Sequence, residues 1–127
     1  MPKQIDYRTE HDIMVRSLAR YLREQGHNDI KVNMFGYDTP DQIYFEASTL
    51  GQTPDITSTN IKRFIFDIET VESLDDSETL ERWKLFSAYA KQQSKAFIVA
   101  VPQGSEEHGR QLAEDWGIKL DNVWVVK

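Results

Sequence analysis

Hydrophobic and polar positions follow two different periods along this chain, and the changes of period predict its elements. From Tyr7 to about Gln25, Met14, Leu18, Tyr21 and Leu22 recur at helical spacing, and Gly26 supplies a C-terminal stop. Ile30 to Phe35 alternates apolar and polar residues, Gly36 to Asp41 with Pro40 reads as a turn, and Gln42 to Ala47 resumes a strand pattern. Pro54-Asp55-Ile56 ends or extends that second strand, Asn60-Ile61 marks a turn, and the β-branched run from Ile61 to Thr70 predicts a third. Ser77 to Gln93 predicts a second helix, with Asp75, Asp76 and Glu78 where the helix dipole favours negative charge. Ala96 to Val101 is uninterruptedly apolar, the mark of a strand buried on both faces. Ser105 caps a third helix that runs through Trp116 to a stop at Gly117, and Val123 to Val126 predicts a last strand. The predicted order is α-β-β-β-α-β-α-β, an α/β fold, with no repeat or linker dividing it.

Alternation within the third strand places charge where a buried sheet does not tolerate it. Asp67 and Glu69 fall on one face with Arg63 and Ile65, while Phe64, Phe66 and Ile68 take the other. Asp55, twelve residues before Asp67, is expected on the neighbouring antiparallel strand, so three carboxylates converge. Side chains two residues apart on one face are roughly 7 Å from each other, within reach of a common hard cation. Such charges need a cation, an arginine or solvent to answer them.

Composition narrows the partners. At 127 residues the chain has room for one core and one domain. Its 15 Lys and Arg against 21 Asp and Glu give a net charge of −6, so any nucleic-acid site must be a local patch. The absence of cysteine excludes disulfides, thiolate zinc sites and a thiol nucleophile. The polar start, Met1 to Asp6, is unlike a signal peptide, and no apolar run approaches the ~18 residues of a membrane span. A cytoplasmic protein with no membrane association is expected.

These residues resemble the PD-(D/E)xK nuclease superfamily, the restriction-endonuclease-like fold. Pro54-Asp55 matches the first half of its signature and Asp67-Ile68 the start of the second, and Glu69 stands where the signature has lysine. The resemblance spans nearly the whole chain and implies a core of a helix, a three-stranded antiparallel meander, a helix and a strand added in parallel, hence a mixed sheet. It implies metal-dependent hydrolysis of nucleic-acid phosphodiester bonds, of DNA before RNA. Asp55, Asp67 and the Ile68 carbonyl would be ligands of Mg²⁺ or Mn²⁺, with Glu69 as a third carboxylate ligand or a general base. Several members place an extra metal-site glutamate on the first helix, which Glu10 would match. A homo-oligomer or a partner protein is compatible with either an active or an inactive member.

A glutamate cannot donate the positive charge of the missing lysine, so compensation is sought on the second helix. There Leu80, Trp83, Phe86 and Ala90 form one stripe, Arg82 flanks it about 70° from its centre, and Lys84 points well away. Arg82 is the first choice for the compensating cation and Lys84 the second. Glu10 lies about 80° from the middle of the first helix's stripe, and His11 falls within that stripe as a hydrogen-bonded residue at the core edge. His27 and His108 lack partners at zinc spacing, and packing accounts for Trp83, Trp116 and Trp124. Two functions follow: a metal-dependent nuclease, or an inactive domain of the same fold serving as a binding or assembly module.

Overall fold

The computed structural model describes residues 7–44 and 51–126. Its elements are α1 (Tyr7–Glu24), β1 (Asn28–Val32), β2 (Ile56–Asn60), β3 (Lys62–Ile68), α2 (Ser77–Gln93), β4 (Ala96–Pro102), α3 (Glu106–Trp116) and β5 (Asn122–Val126). The strands form a five-stranded mixed sheet in the order β1-β2-β3-β4-β5. The pairs β1/β2 and β2/β3 are antiparallel, and β3/β4 and β4/β5 are parallel. Parallel neighbours need a crossover, which α2 and α3 provide.

Side-chain alternation in β3 and β4 builds the layers. Phe66, Ile68, Ile98 and Ala100 pack with Val15, Leu18 and Leu22 of α1 on one face. Ile65, Phe97, Val99 and Val101 pack with Trp83, Phe86 and Ala90 of α2 and Ala113 of α3 on the other. β4 is buried on both faces, which is why its sequence is apolar without a break. Each large side chain fully buried in these clusters contributes about 1.5–3 kcal/mol relative to exposure. Among the described residues no helix is long and apolar enough to cross a membrane.

The second strand comes from a different segment than its pattern predicts. It spans Ile56–Asn60, whereas Ile43 forms only an isolated bridge to Gln52, and residues 45–47 of the predicted strand lie outside the described residues. Thr57, Ser58 and Thr59 carry little apolar signal, yet Ile56 and Ser58 are buried on the α1 face and Ser58 is bonded to His27 at 2.7 Å. Complete pairing with β3 outweighs that weak local preference. β1 is also displaced, to Asn28–Val32, and Phe35 beyond it is fully exposed. Ile61 alone joins β2 to β3, at φ 63°, which is strained for a β-branched residue. Ser105 does occupy the N-cap of α3, but its side chain makes no capping bond, and the same holds for Asp76 at α2.

Candidate functional site

Asp55 lies just before β2, where its amide donates to the Phe66 carbonyl at 3.2 Å and its own carbonyl accepts from Asn33 at 2.9 Å. This backbone clamp aims its side chain along the sheet toward the end of β3. There the Ile68 amide donates to Asp55 Oδ2 at 2.7 Å. Asp67 projects from β3 toward α2, and Glu69 follows directly, its amide held by the Ala100 carbonyl at 2.9 Å. Asp55, Asp67, Ile68, Glu69 and Arg82 all line one cleft of about 710 Å³.

The two innermost acids are almost inaccessible, with Asp67 2% and Glu69 1% exposed, so every charge on them must be answered. Trp83 Nε1 donates to Asp67 Oδ2 at 2.9 Å, and Arg82 Nε stands 3.4 Å from Asp67 Oδ1. Arg82 Nη2 donates to Glu69 Oε2 at 2.9 Å and to Thr79 Oγ1 at 3.1 Å. Ser73 Oγ donates to Glu69 Oε1 at 2.7 Å; Thr79 Oγ1 lies 3.1 Å from the same oxygen and donates to the Ser73 carbonyl at 2.6 Å. The helical spacing of Thr79, Arg82 and Trp83 brings all three to the acids from the first turns of α2. Outside that inner layer, His11 Nε2 lies 3.0 Å from Asp55 Oδ1 and its Nδ1 lies 3.3 Å from Asp12 Oδ1.

These contacts divide the protons unequally. Burial, then the charge and hydrogen bond of Glu69, holds the Asp67 carboxyl well above the usual carboxylate range. Burial also acts to raise Glu69, but the hydrogen bond from Asp67, the Arg82 guanidinium and Ser73 outweigh it and keep Glu69 ionised. For His11, burial acts to lower the pKa, while hydrogen bonding and charge from Asp55 and then Asp12 raise it to about 9. Arg82 is held more firmly protonated still, because Asp67 and Glu69 outweigh its burial. Arg82 thus serves both Asp67 and Glu69, and His11 serves Asp55.

The structure therefore brings Asp55, Asp67, Glu69 and Arg82 together. Lys84 is exposed and lines a separate cavity, because two residues along a helix turn it about 200° away from Arg82. Glu10 is not among the residues lining the cleft, whereas its neighbours Thr9, His11 and Asp12 are. Sequence reasoning placed His11 at a core edge and Trp83 in the core without their carboxylate partners. Trp83 is indeed fully buried, and its indole nitrogen also serves Asp67. The mouth of the cleft adds Asp76 and Glu78, while Asp75 is paired with His108 at 2.7 Å.

Asp55, Asp67 and Glu69 offer hard oxygen atoms of the kind Mg²⁺ and Mn²⁺ prefer. Among the described residues no three His, Cys, Asp or Glu side chains are already grouped to hold an ion, since His11 and Arg82 occupy the carboxylate oxygens. The donor chemistry fits a divalent cation once those two contacts yield. No family model, curated protein or solved structure matches the chain.

Proposed function

We propose that this protein is a divalent-metal-dependent nuclease on a restriction-endonuclease-like scaffold, hydrolysing phosphodiester bonds of nucleic acid, DNA before RNA. The observation that carries this reading is Arg82, which delivers a cation to Asp67 and Glu69 where the signature lysine is replaced by glutamate. The antiparallel β1-β2-β3 meander followed by parallel β4, with Asp55 before β2 and Asp67 on β3, supports the resemblance.

Asp55 and Asp67, with Ile68 and Glu69 beside them, would hold Mg²⁺ or Mn²⁺. The chemistry a bound ion supplies is a more acidic water and an answer to the charge growing on the phosphate during in-line attack. Because Asp67 holds its proton more tightly than an ordinary carboxyl, an ion that it ligated would have to compete with that proton. Glu69, ionised and fixed by Ser73 and Arg82, is placed to accept a proton from the attacking water. Arg82 engages Nε and Nη2 with the acids and Thr79; among the described residues nothing accepts from its Nη1, whose two N–H donors remain for a phosphate oxygen. His11 holds Asp55 and balances its charge until the ion does so.

A second reading, an inactive domain of the same fold acting as a binding or assembly module, is favoured by the contacts of His11 with Asp55 and of Arg82 with Asp67 and Glu69, which already answer the inner acids. A cleft so compensated needs no ion for its stability. Cleavage of plasmid, single-stranded and branched DNA in Mg²⁺ or Mn²⁺ separates the two readings. The nuclease reading expects cutting by the parent and a loss of at least about 100-fold in Asp67→Asn and in Arg82→Lys, whose ammonium lacks the two-pronged donor. A folded parent that cuts none of these substrates leaves the binding module.

A further inference from the structure

The sheet face that carries Asp67 continues away from the cleft into a second, oppositely charged cavity. Thr57 pairs with Ile65 and with Lys31, and Thr59 pairs with Arg63, so these side chains share the face of Asp67. A cavity of about 320 Å³ opens there, lined by Lys31, Thr57, Thr59, Arg63, Tyr89 and Lys95 among others. Lys95 Nζ donates to the Tyr89 hydroxyl at 3.3 Å and lies 4.9 Å from its ring centroid, which fixes the ammonium and leaves the Tyr89 proton available. Among the described residues no ion pair neutralises Lys31, Arg63 or Lys95. Asp29 and Asp41 also line the cavity, leaving one excess positive charge there in a chain of net charge −6.

Cations with no ion-pair partner among the described residues, converging with hydroxyl donors in a concavity, form a receptor for a tetrahedral oxyanion. Its distance from the acids suits a polymer. Arg63 precedes Asp67 by four residues on one strand, about 13 Å at ~3.3 Å per residue. That is short enough for one strand of a nucleic acid, which advances ~3.4 Å along the helix axis per step, to reach both sites within a few phosphates. A chain with an acidic mouth around its cleft gains its hold on a polyanion from such a flanking patch rather than from the cleft.

We propose that this cavity binds a backbone phosphate of the nucleic acid, a few steps from the phosphate in the cleft. The identity of the ligand rests on the nuclease reading above, and the binding does not depend on cleavage. The test is fluorescence anisotropy of a labelled single-stranded oligonucleotide and of its duplex, without divalent ion, across a salt series. Lys31→Gln/Arg63→Gln/Lys95→Gln is expected to weaken binding about tenfold or more and to reduce the log–log salt slope by about 0.7–0.9 per cation removed. Arg63→Gln alone, at an exposed position, gives a smaller change in the same direction, and Arg110→Gln on α3 gives none.

A folded parent that binds neither oligonucleotide overturns the proposal, as does a folded triple variant with parental affinity and slope. Inorganic phosphate that shifts the Thr57, Thr59 and Arg63 amides while no oligonucleotide binds assigns the cavity to a small anion and also overturns it. A parent that never cuts DNA, yet binds it with this dependence on Lys31, Arg63 and Lys95, sustains the subsite and removes the nuclease reading alone.

Discussion

The two faces of β3 are built from alternate residues of one short strand and obey different physics. Toward α1, Phe66 and Ile68 enter an apolar cluster with Val15, Leu18 and Leu22, and nothing there requires a specific partner atom. Toward α2, Ile65 begins the same kind of packing, but Asp67 and then Glu69 follow it into equal burial. Burial of apolar groups is non-directional, whereas burial of a carboxylate is tolerated only with donors in place. The α2 face therefore carries Trp83, Arg82, Thr79 and Ser73 as fixed partners, and its stability should respond to charge and pH as the α1 face does not.

Arg82→Met breaks this contrast most severely. It leaves the Glu69 carboxylate buried without its counter-charge, and a loss of about 3 kcal/mol, the low end for a broken buried pair because Arg82 is partly exposed, is expected in denaturant unfolding. Adding Glu69→Gln, which removes the charge and keeps an acceptor for Ser73 and Thr79, should recover most of that loss. If the double variant is no more stable than Arg82→Met, packing rather than charge explains the arginine.

Trp83→Phe keeps most of the ring volume and removes the Nε1 donor to Asp67, at an expected cost of about 1–3 kcal/mol. The change should also perturb the Asp67 titration, read from its side-chain carbonyl resonance. An unchanged titration would show that the indole nitrogen does not act on Asp67.

The pH dependence follows from the unequal protons. His11, raised in the folded state to about 9 from 6.5, contributes stability that is fully present below pH 6.5 and is lost as pH rises through about 9. On the order of 1–2 kcal/mol is expected after solvent screening, and His11→Gln should flatten the profile in that window. On the acid side the two inner carboxyls oppose one another. The raised Asp67 favours the folded state at lower pH, and the depressed Glu69 contributes stability that disappears as pH falls through its folded value.

Ile68→Val on the opposite face is the smallest effect, about 0.5–1.5 kcal/mol, and it should be independent of pH and salt. A charge-dependent response there would erase the distinction between the faces.

Legibility in the sequence divides along the same line. Period and caps were enough for α2, whose bounds agree with the pattern, and for β4, whose unbroken apolar run matches its burial on both faces. Alternation in β3 was enough to put Asp67 and Glu69 on one face, and the helical projection of α2 was enough to point to Arg82. β2 was misplaced because Thr57, Ser58 and Thr59 owe their strand to pairing with β3 rather than to their own preference. His11 escaped because its role depends on how α1 is set against the start of β2, a tertiary distance of 3.0 Å to Asp55 that no local period encodes. The second partner of Trp83 was hidden for a related reason: a residue that satisfies an apolar stripe gives no separate signal for the hydrogen bond its edge makes.

On the nuclease reading proposed above, Asp55 and Asp67 hold a divalent ion in place of the His11 and Arg82 contacts. Titration of the isotope-labelled protein with Mn²⁺, followed by paramagnetic broadening in NMR spectra, tests it most directly. Selective loss of the Asp55, Ile68 and Glu69 amide signals, together with the Arg82 Nε–H signal, is expected, and Asp67→Asn should abolish it. Signals that persist at those four positions in millimolar Mn²⁺, with the protein folded, would contradict the account and leave Arg82 and His11 as the permanent counter-charges of a metal-free site.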